Sequence, residues 1–334
     1  MNNENKITLA HGSGGHATKE LIEDVFQDKF SNEILDKMED SAVLTLSGNT
    51  IAYTTDSYVV KPIFFKGGDI GKLAICGTVN DLLMQGATPK YLTVGFILEE
   101  GLLIDDLKKI VNSMRDAANE AGIKIVAGDT KVIEGNGGIY LNTSGIGVVE
   151  TSLSISSMNA CGGDAVICSG FLGDHHACIL SSRMEIENSI RSDCAPLNEM
   201  VQNVLSGKIT VHTMRDITRG GIATVLNEIA DSSKVCVNIH ENLIPVDEQV
   251  KGFCDILGLD PLYMGNEGKC IFIVPKSEAE ETVNILKNSK YGENATIIGE
   301  IKQADGLPSV TITTNYGGVR RLDMLYGEGL PRIC

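Results

Sequence analysis

The chain lacks any apolar run approaching the ~18 residues of a membrane span, although 43% of its 334 residues are hydrophobic. That apolar material is enough for two domains with proper cores. No secretory leader is evident in Met1-Asn-Asn-Glu-Asn-Lys6, which has neither a basic nor an apolar stretch, and a cytoplasmic protein is expected. No Cys-x-x-Cys pair occurs among the nine cysteines at 76, 161, 168, 178, 194, 236, 254, 270 and 334. An odd, dispersed set argues against a disulfide framework and a zinc ribbon, and most should be small buried hydrophobes. Positive charge is scarce. With 28 Lys+Arg against 44 Asp+Glu, the net charge of −16 disfavours nucleic acid and anionic membranes as partners. The same charge repels anions at long range, so a phosphate site here needs local metal ions or backbone donors.

What is present divides into two halves. Thr18 to Phe30 has helical periodicity, with Leu21, Ile22, Val25, Phe26 and Phe30 on one face. Ala42–Leu46 and Ile51–Thr55 read as a strand pair across a Ser47-Gly48-Asn49 turn. Asp69 can cap a helix to about Gln85, stopped by Gly86 and Pro89. A strand at 91–98, a helix at 104–121 and strands at 123–126 and 139–149 follow. After a polar linker at 151–159 the pattern restarts with a strand at 165–169, a loop at Asp216 and a helix from Gly221. Strands and helices mix without regular βαβ alternation, so the expected class is α+β (mixed α/β) with mainly antiparallel sheet. The expected units are residues 1–155, residues 160–314 and a mobile tail, 315–334.

Nucleotide motifs appear as near misses. Gly12-Ser-Gly-Gly-His-Ala17 fits G-x-G-x-x-A, but no βαβ unit follows it. Gly67-Gly-Asp-Ile-Gly-Lys72 is too short for a P-loop, and Leu73 stands where Ser or Thr is required. The acids carry more information. Asp40 opens one strand, Asp56 and Asp129 end others, and Asn80-Asp81 interrupts the apolar helix from Leu73 to Met84. Any one of them can be a turn residue or cap. A carboxylate embedded in an apolar helix is costly unless it is paired or bound to metal. Several converging acids suit Mg²⁺ with phosphate oxygens. Asp216-Ile-Thr-Arg-Gly-Gly221 leads into a helix and can offer amides to an anion. Gly265-Asn-Glu-Gly-Lys269 can be a plain tight turn, or can present Glu267 to a reacting group. His175-His176 reads as a helix start, with no third ligand at metal spacing.

Together, Gly12-Ser-Gly-Gly15, Asp40-Ser-Ala, Thr55-Asp-Ser-Tyr58, Val79-Asn-Asp-Leu82 with Gly86-Ala-Thr-Pro89, Gly128-Asp-Thr-Lys131, Asp216-Ile-Thr-Arg-Gly-Gly221, Gly265-Asn-Glu-Gly-Lys269 and Pro331-Arg-Ile-Cys334 resemble the HypE family of carbamoyl dehydratases. This family serves [NiFe]-hydrogenase maturation and belongs to the PurM-like ATP-binding superfamily. The resemblance spans the whole chain, and the closing Pro-Arg-Ile-Cys distinguishes it from other superfamily members. One departure is Gly173-Asp-His-His176, where the family has Gly-Asp-His-Gly.

The resemblance implies two PurM-like halves, a homodimer joined as a barrel through the N-terminal sheets, and ATP with Mg²⁺. By motif matching it implies nucleotide contacts at Asp40, Asp56, Asn80, Asp81, Gly128, Asp129, Thr130, Asp216 and Thr218. Within that set Asp40, Asp56, Asp81 and Asp129 would be metal ligands. It further implies that a carbamoyltransferase, HypF, loads Cys334, that dehydration leaves a thiocyanate, and that a HypC–HypD complex receives the cyano group. Lys131 is the candidate for stabilising developing negative charge, and Glu267 the candidate base. A selenophosphate synthetase would usually place Cys or selenocysteine in the loop His11-Gly-Ser-Gly-Gly-His16, which has none. A phosphoribosylformylglycinamidine cyclo-ligase needs no terminal thiol. The remaining alternative is a non-catalytic thiol carrier or scaffold.

Overall fold

The computed structural model describes residues 15–21, 23, 32–46, 49–150 and 152–325. Cys334, Gly12 to Gly14 and most of the stretch expected to be helical up to Phe30 lie outside them, apart from the short helix α1, His16–Leu21.

The first half is built on a five-stranded sheet in the order β1-β2-β7-β5-β6. Its strands are β1 (Ala42–Leu46), β2 (Asn49–Tyr58), β5 (Ala87–Glu99), β6 (Lys124–Ile133) and β7 (Ile139–Val149), and a small ribbon is formed by β3 (Phe64–Phe65) and β4 (Gly68–Asp69). All pairings in the large sheet are antiparallel except β5 with β6. β6 runs well past the expected 123–126, so Asp129 lies within the strand and does not end it.

Helices α2 (Ile70–Met84) and α3 (Ile104–Glu120) cover one face. Asp69 caps α2 by accepting from the amides of Gly71 (2.7 Å) and Lys72 (3.0 Å). α3 is amphipathic and buries only Ile110, Met114, Ala117 and Ala118. α2 is apolar all round and nearly every residue is buried, because the second half packs on the side the sheet leaves open.

The second half is a seven-stranded sheet in the order β14-β13-β10-β12-β8-β11-β9. The strands are β8 (Asp164–Cys168), β9 (Thr213–Asp216), β10 (Val235–His240), β11 (Cys270–Pro275), β12 (Thr296–Gln303), β13 (Ser309–Thr313) and β14 (Val319–Arg321). Only β10 with β13 is parallel. β8 is buried along its whole length. Val166 and Cys168 face α6 (Gly221–Ser233), whereas Ala165 and Ile167 join the core shared with the first half. The remaining helices are α4 (Asp174–Arg183), α5 (Asn198–Ser206), α7 (Glu248–Leu257) and α8 (Ala279–Lys287).

Two local expectations change. Asp216 ends strand β9 and is not in a loop, because the register with β11 carries pairing through Cys270↔Asp216. The stretch read as tail from residue 315 still belongs to the sheet at β14, where Leu322 is fully buried and its carbonyl accepts from Asn227 Nδ2. The last described residue, Leu325, accepts from the amide of His16 at 3.3 Å.

Candidate functional site

The seam between the halves is where α2 meets β9. Asp81 comes from α2 and Asp216 from the end of β9. Glu267 sits in the turn that opens β11, while Asp56 and Tyr58 end β2. Together with Thr218, Arg219, Gly77 and His175 these residues line a cavity of about 110 Å³. Roughly 300 Å³ is the low end for a ligand pocket, so this one has room for the reacting end of a nucleotide only. A wider cleft of about 810 Å³ adjoins β1 and β2 and is lined by Asp40, Thr54 and Thr55 among others.

The acids strain against one another. Burial raises Asp81 well above the carboxylate range, and Asp216, Asp56 and Asp40 push it further, while Thr54 Oγ1, 3.0 Å from Asp81 Oδ2, opposes the rise. Asp216 is pushed up to about 6 by burial, with Arg215 pulling the other way. Glu267 is raised well above the ordinary range by burial, then by Cys194, Asp216, Asp193 and Asp56. Tyr58 is raised by burial and by Asp56 and Asp81, and its hydroxyl lies 3.2 Å from Thr78 Oγ1. A cluster of carboxylates at this cost is what a divalent cation relieves.

Asp40 belongs to a neighbouring arrangement. Its Oδ2 lies 2.8 Å from Arg215 Nε, whose guanidinium also reaches Glu228 at 3.0 Å. The N–H of Nε is not aligned on that oxygen, so the contact is an ion pair more than a hydrogen bond. Both side chains are nearly desolvated, at 9% and 12% exposure. Burial raises Asp40 despite the arginine. Its neighbour Glu39 accepts from the Ser157 amide (3.0 Å) and the Ser156 hydroxyl, and so fixes the connecting segment.

Not every expected residue converges. Asn80 is 2% exposed and fully used: Nδ2 donates to the carbonyls of Ala195 (3.1 Å) and Glu267 (3.3 Å), and Oδ1 accepts from the Leu197 amide (3.0 Å). It ties α2 to the second half and holds the Glu267 turn. Thr218 lines the cavity. The Gly221 amide expected to greet an anion is taken by the Thr218 carbonyl at 3.0 Å.

Gly128, Asp129, Thr130 and Lys131 lie on edge strand β6, all exposed. The register aligns Ser57, Asn142, Gly95 and Asp129 in one row, three strand spacings or about 14 Å from end to end. Alternation puts that row on the open face, opposite Asp56, whose row runs through buried Thr143. Lys131 grips Asp129 at 2.6 Å and lowers its carboxyl below the usual range. Within one chain, neither reaches the cavity.

Four contributors were not among the expected site residues: Arg215, Arg219, Asp193 and His175. Asp193 accepts from the amides of Glu267 and Gly268 and from Asn266 Nδ2, each at 3.1 Å. His175 starts α4; burial lowers it to about 4, so it is neutral, and its Nδ1 lies 2.8 Å from Ser192 Oγ. Arg219 lies inside the motif that ends at Gly220-Gly221, Arg215 directly precedes it and His175 follows Gly173-Asp174, whereas Asp193 lies in no motif.

The AIR synthase related protein N-terminal domain matches residues 38–149, and the C-terminal domain matches residues 162–310. The chain is 45% identical over 334 residues to carbamoyl dehydratase HypE of Cupriavidus necator, covering 98% of this chain and 95% of the relative. A HypE crystallised with HypF superposes with a TM-score of 0.86 at 49% identity, over 91% of this chain and 99% of that one. The hydrogenase maturation protein HypE in complex with ATP gives a TM-score of 0.83 at 46% identity, over 98% and 100%. On two family domains and near full-length similarity, the chain belongs to the HypE carbamoyl dehydratases of the AIR synthase related, PurM-like fold.

Proposed function

We propose that this chain is an ATP-dependent dehydratase that turns an S-carbamoyl group on its own Cys334 into a thiocyanate for a hydrogenase iron centre. The reading rests on one observation, the convergence of Asp81, Asp216, Asp56 and Glu267 at the seam of the halves, with Arg219 as the cation lining the same cavity. The ATP complex of a 46% identical HypE supports nucleotide binding.

The carboxylates fit Mg²⁺, because their mutual repulsion and burial are what such an ion offsets. Asp56, Asp81 and Asp216 would hold it. Asp40, paired to Arg215, would stand behind them. When bound, the ion supplies neutralisation of phosphate oxygens.

An amide oxygen does not leave as oxide near neutral pH. Transfer of the γ-phosphoryl group forms a bond from the carbamoyl oxygen to phosphorus and breaks the Pγ–O bond to ADP, while the nitrogen gives its first proton to solvent and becomes C=NH. The carbon then carries phosphate, a competent leaving group. Glu267 takes the last N–H proton, the nitrogen lone pair completes C≡N, and the C–O bond breaks to release phosphate. Burial raises the Glu267 carboxyl above the ordinary range, and a raised carboxyl is a stronger proton acceptor once ionised. Arg219 would stabilise charge on the departing phosphate, the role expected of Lys131. Lys131, Asp129, Thr130 and Gly128 would serve a site across a dimer. The open sheet face exposes an apolar row, Tyr53, Ile146 and Tyr91, that a second copy can cover. Residues 326–334 can carry the sulfur about 30 Å from Leu325 at full extension.

HypF would be a partner, which the crystallised HypE–HypF complex of a relative supports; it would load Cys334, and a HypC–HypD complex would accept the cyano group. No helix of the described residues is long and apolar enough to cross a membrane, in keeping with work in the cytoplasm. The test is intact-mass analysis of the carbamoylated chain. ATP should remove the mass of one water, with no change in Cys334→Ala; an unchanged carbamoyl mass after ATP turnover would reject the proposal.

A further inference from the structure

The second half holds a trio of metal-ligand side chains that the nucleotide chemistry does not use. Cys161 and Asp164 close the turn Cys161-Gly-Gly-Asp164 ahead of β8, and His212 precedes β9 on the far side of β11. Asp164 Oδ2 lies 2.8 Å from His212 Nδ1 and 3.5 Å from Cys161 Sγ, and the sulfur lies 3.8 Å from the same imidazole nitrogen. Zinc–sulfur, zinc–nitrogen and zinc–oxygen bonds in a tetrahedron give ligand-to-ligand edges of about 3.3–3.6 Å. The two sulfur edges of the triangle match a face of such a tetrahedron within about 0.3 Å, and the Asp164–His212 edge, a hydrogen bond without metal, would open by about 0.6 Å around an ion.

The surroundings hold it in place. The Cys161 amide donates to Asp164 Oδ2 at 2.9 Å, and the Asp164 amide donates back to the Cys161 carbonyl at 3.1 Å. Gly163 takes φ +100°, a conformation that keeps the turn tight enough for residues three apart to share a ligand site. Asp164 is 4% exposed and His212 25%, while Cys161 is exposed, so the fourth corner faces water.

We propose that Cys161, Asp164 and His212 form a site for a zinc-class divalent cation, separate from the nucleotide cleft. The donor set of thiolate, imidazole and carboxylate selects zinc-like ions over magnesium, which prefers oxygen alone. Metal binding exchanges the thiol proton for the ion and needs no redox partner. The site also has a structural consequence. The His212 amide donates to Ile273 O (2.9 Å), and its carbonyl accepts from Ser156 of the connecting segment (3.1 Å). An ion here clamps the opening of β8 to the opening of β9, beside the crossing between the halves.

Cobalt(II) is the probe, since a thiolate ligand gives a charge-transfer band that carboxylates cannot. Titration of the full chain should develop this band to one equivalent, with zinc erasing it and excess magnesium leaving it intact. The band should survive in Cys334→Ala and Cys236→Ala, vanish in Cys161→Ala, and need at least tenfold more cobalt in His212→Ala. Cys161 is exposed, so its variant should melt like the parent when metal-free. A parent without the band, or a band persisting in Cys161→Ala, overturns the site and leaves the dehydratase reading untouched.

Discussion

Glu267 is held by its backbone more than by its side chain. Its amide binds Asp193, its carbonyl receives Asn80, and the flanking Asn266 and Gly268 share the Asp193 carboxylate. That frame leaves the Glu267 carboxyl free to face the cavity. Glu267→Gln keeps the shape and removes the proposed base, so ATP-dependent dehydration should fall about 10²–10⁴-fold with nucleotide affinity kept; a turnover within a few-fold of wild type would exclude this role. The Asp193 carboxylate touches the Glu267 turn and, on the proposed reading, would act as a positioning residue. Asp193→Ala should lower kcat with little change in KM for ATP, and Asp193→Asn should recover part of it. A change confined to KM would assign Asp193 to nucleotide binding instead.

At the scale of elements, the site depends on how two helices begin. α2 starts on the Asp69 cap and carries Asp81 through a layer buried on all sides. α6 starts on Gly220 and Gly221, at φ +82° and +63°. A Cβ on Gly221 would lie 2.5 Å from the Leu262 carbonyl and 2.6 Å from Tyr263 C, so the turn beneath Asp216 and Thr218 has no room for a side chain. Gly221→Ala combines left-handed strain with a backbone clash and should cost at least about 2 kcal/mol. Denaturant midpoints measure this, and an unshifted midpoint would show that the turn can relax.

At the scale of the molecule, burial makes the acids oppose folding, and the proposed cation would offset that cost. Mg²⁺ should raise the melting temperature at pH 7.5, about 2.7 kcal/mol being gained at a hundredfold excess over the dissociation constant. The gain should disappear in Asp81→Asn and Asp216→Asn, and shrink below about pH 6 as protons occupy Asp216. Equal stabilisation of the variants would move the ion elsewhere.

The buried imidazole has the opposite sign. His175 binds its proton at about 4 when folded and near 6.5 when unfolded, so between those values the unfolded chain holds more protons. Its stabilising contribution is therefore complete above 6.5 and lost as pH falls toward 4, by about 3 kcal/mol. The raised acids gain stability over the same fall, so the comparison that isolates the histidine is wild type against His175→Gln. Parallel pH profiles for the two would mean that His175 titrates alike in the folded and unfolded chain.

Local chemistry determined much of this protein by itself. The Asp69 cap, the stop at Gly86, the helix at 104–120 and the long strand at 139–149 follow from short-range signals that need no partner. The motifs at Asp40, Asp56, Asp81, Asp216 and Glu267 pointed to the family for the same reason. Only the tertiary structure decided which acids meet. Strand order β1-β2-β7-β5-β6 and pleat alternation send Asp129 and Lys131 to the far edge and the other face, although their motif resembles the rest. Packing between the halves converts Asn80 from an expected ligand into a tie and brings Arg215 to Asp40, 175 positions away. A neighbour contributed by a distant segment leaves no periodicity or spacing in the sequence, because contact across a seam is set by the fold as a whole.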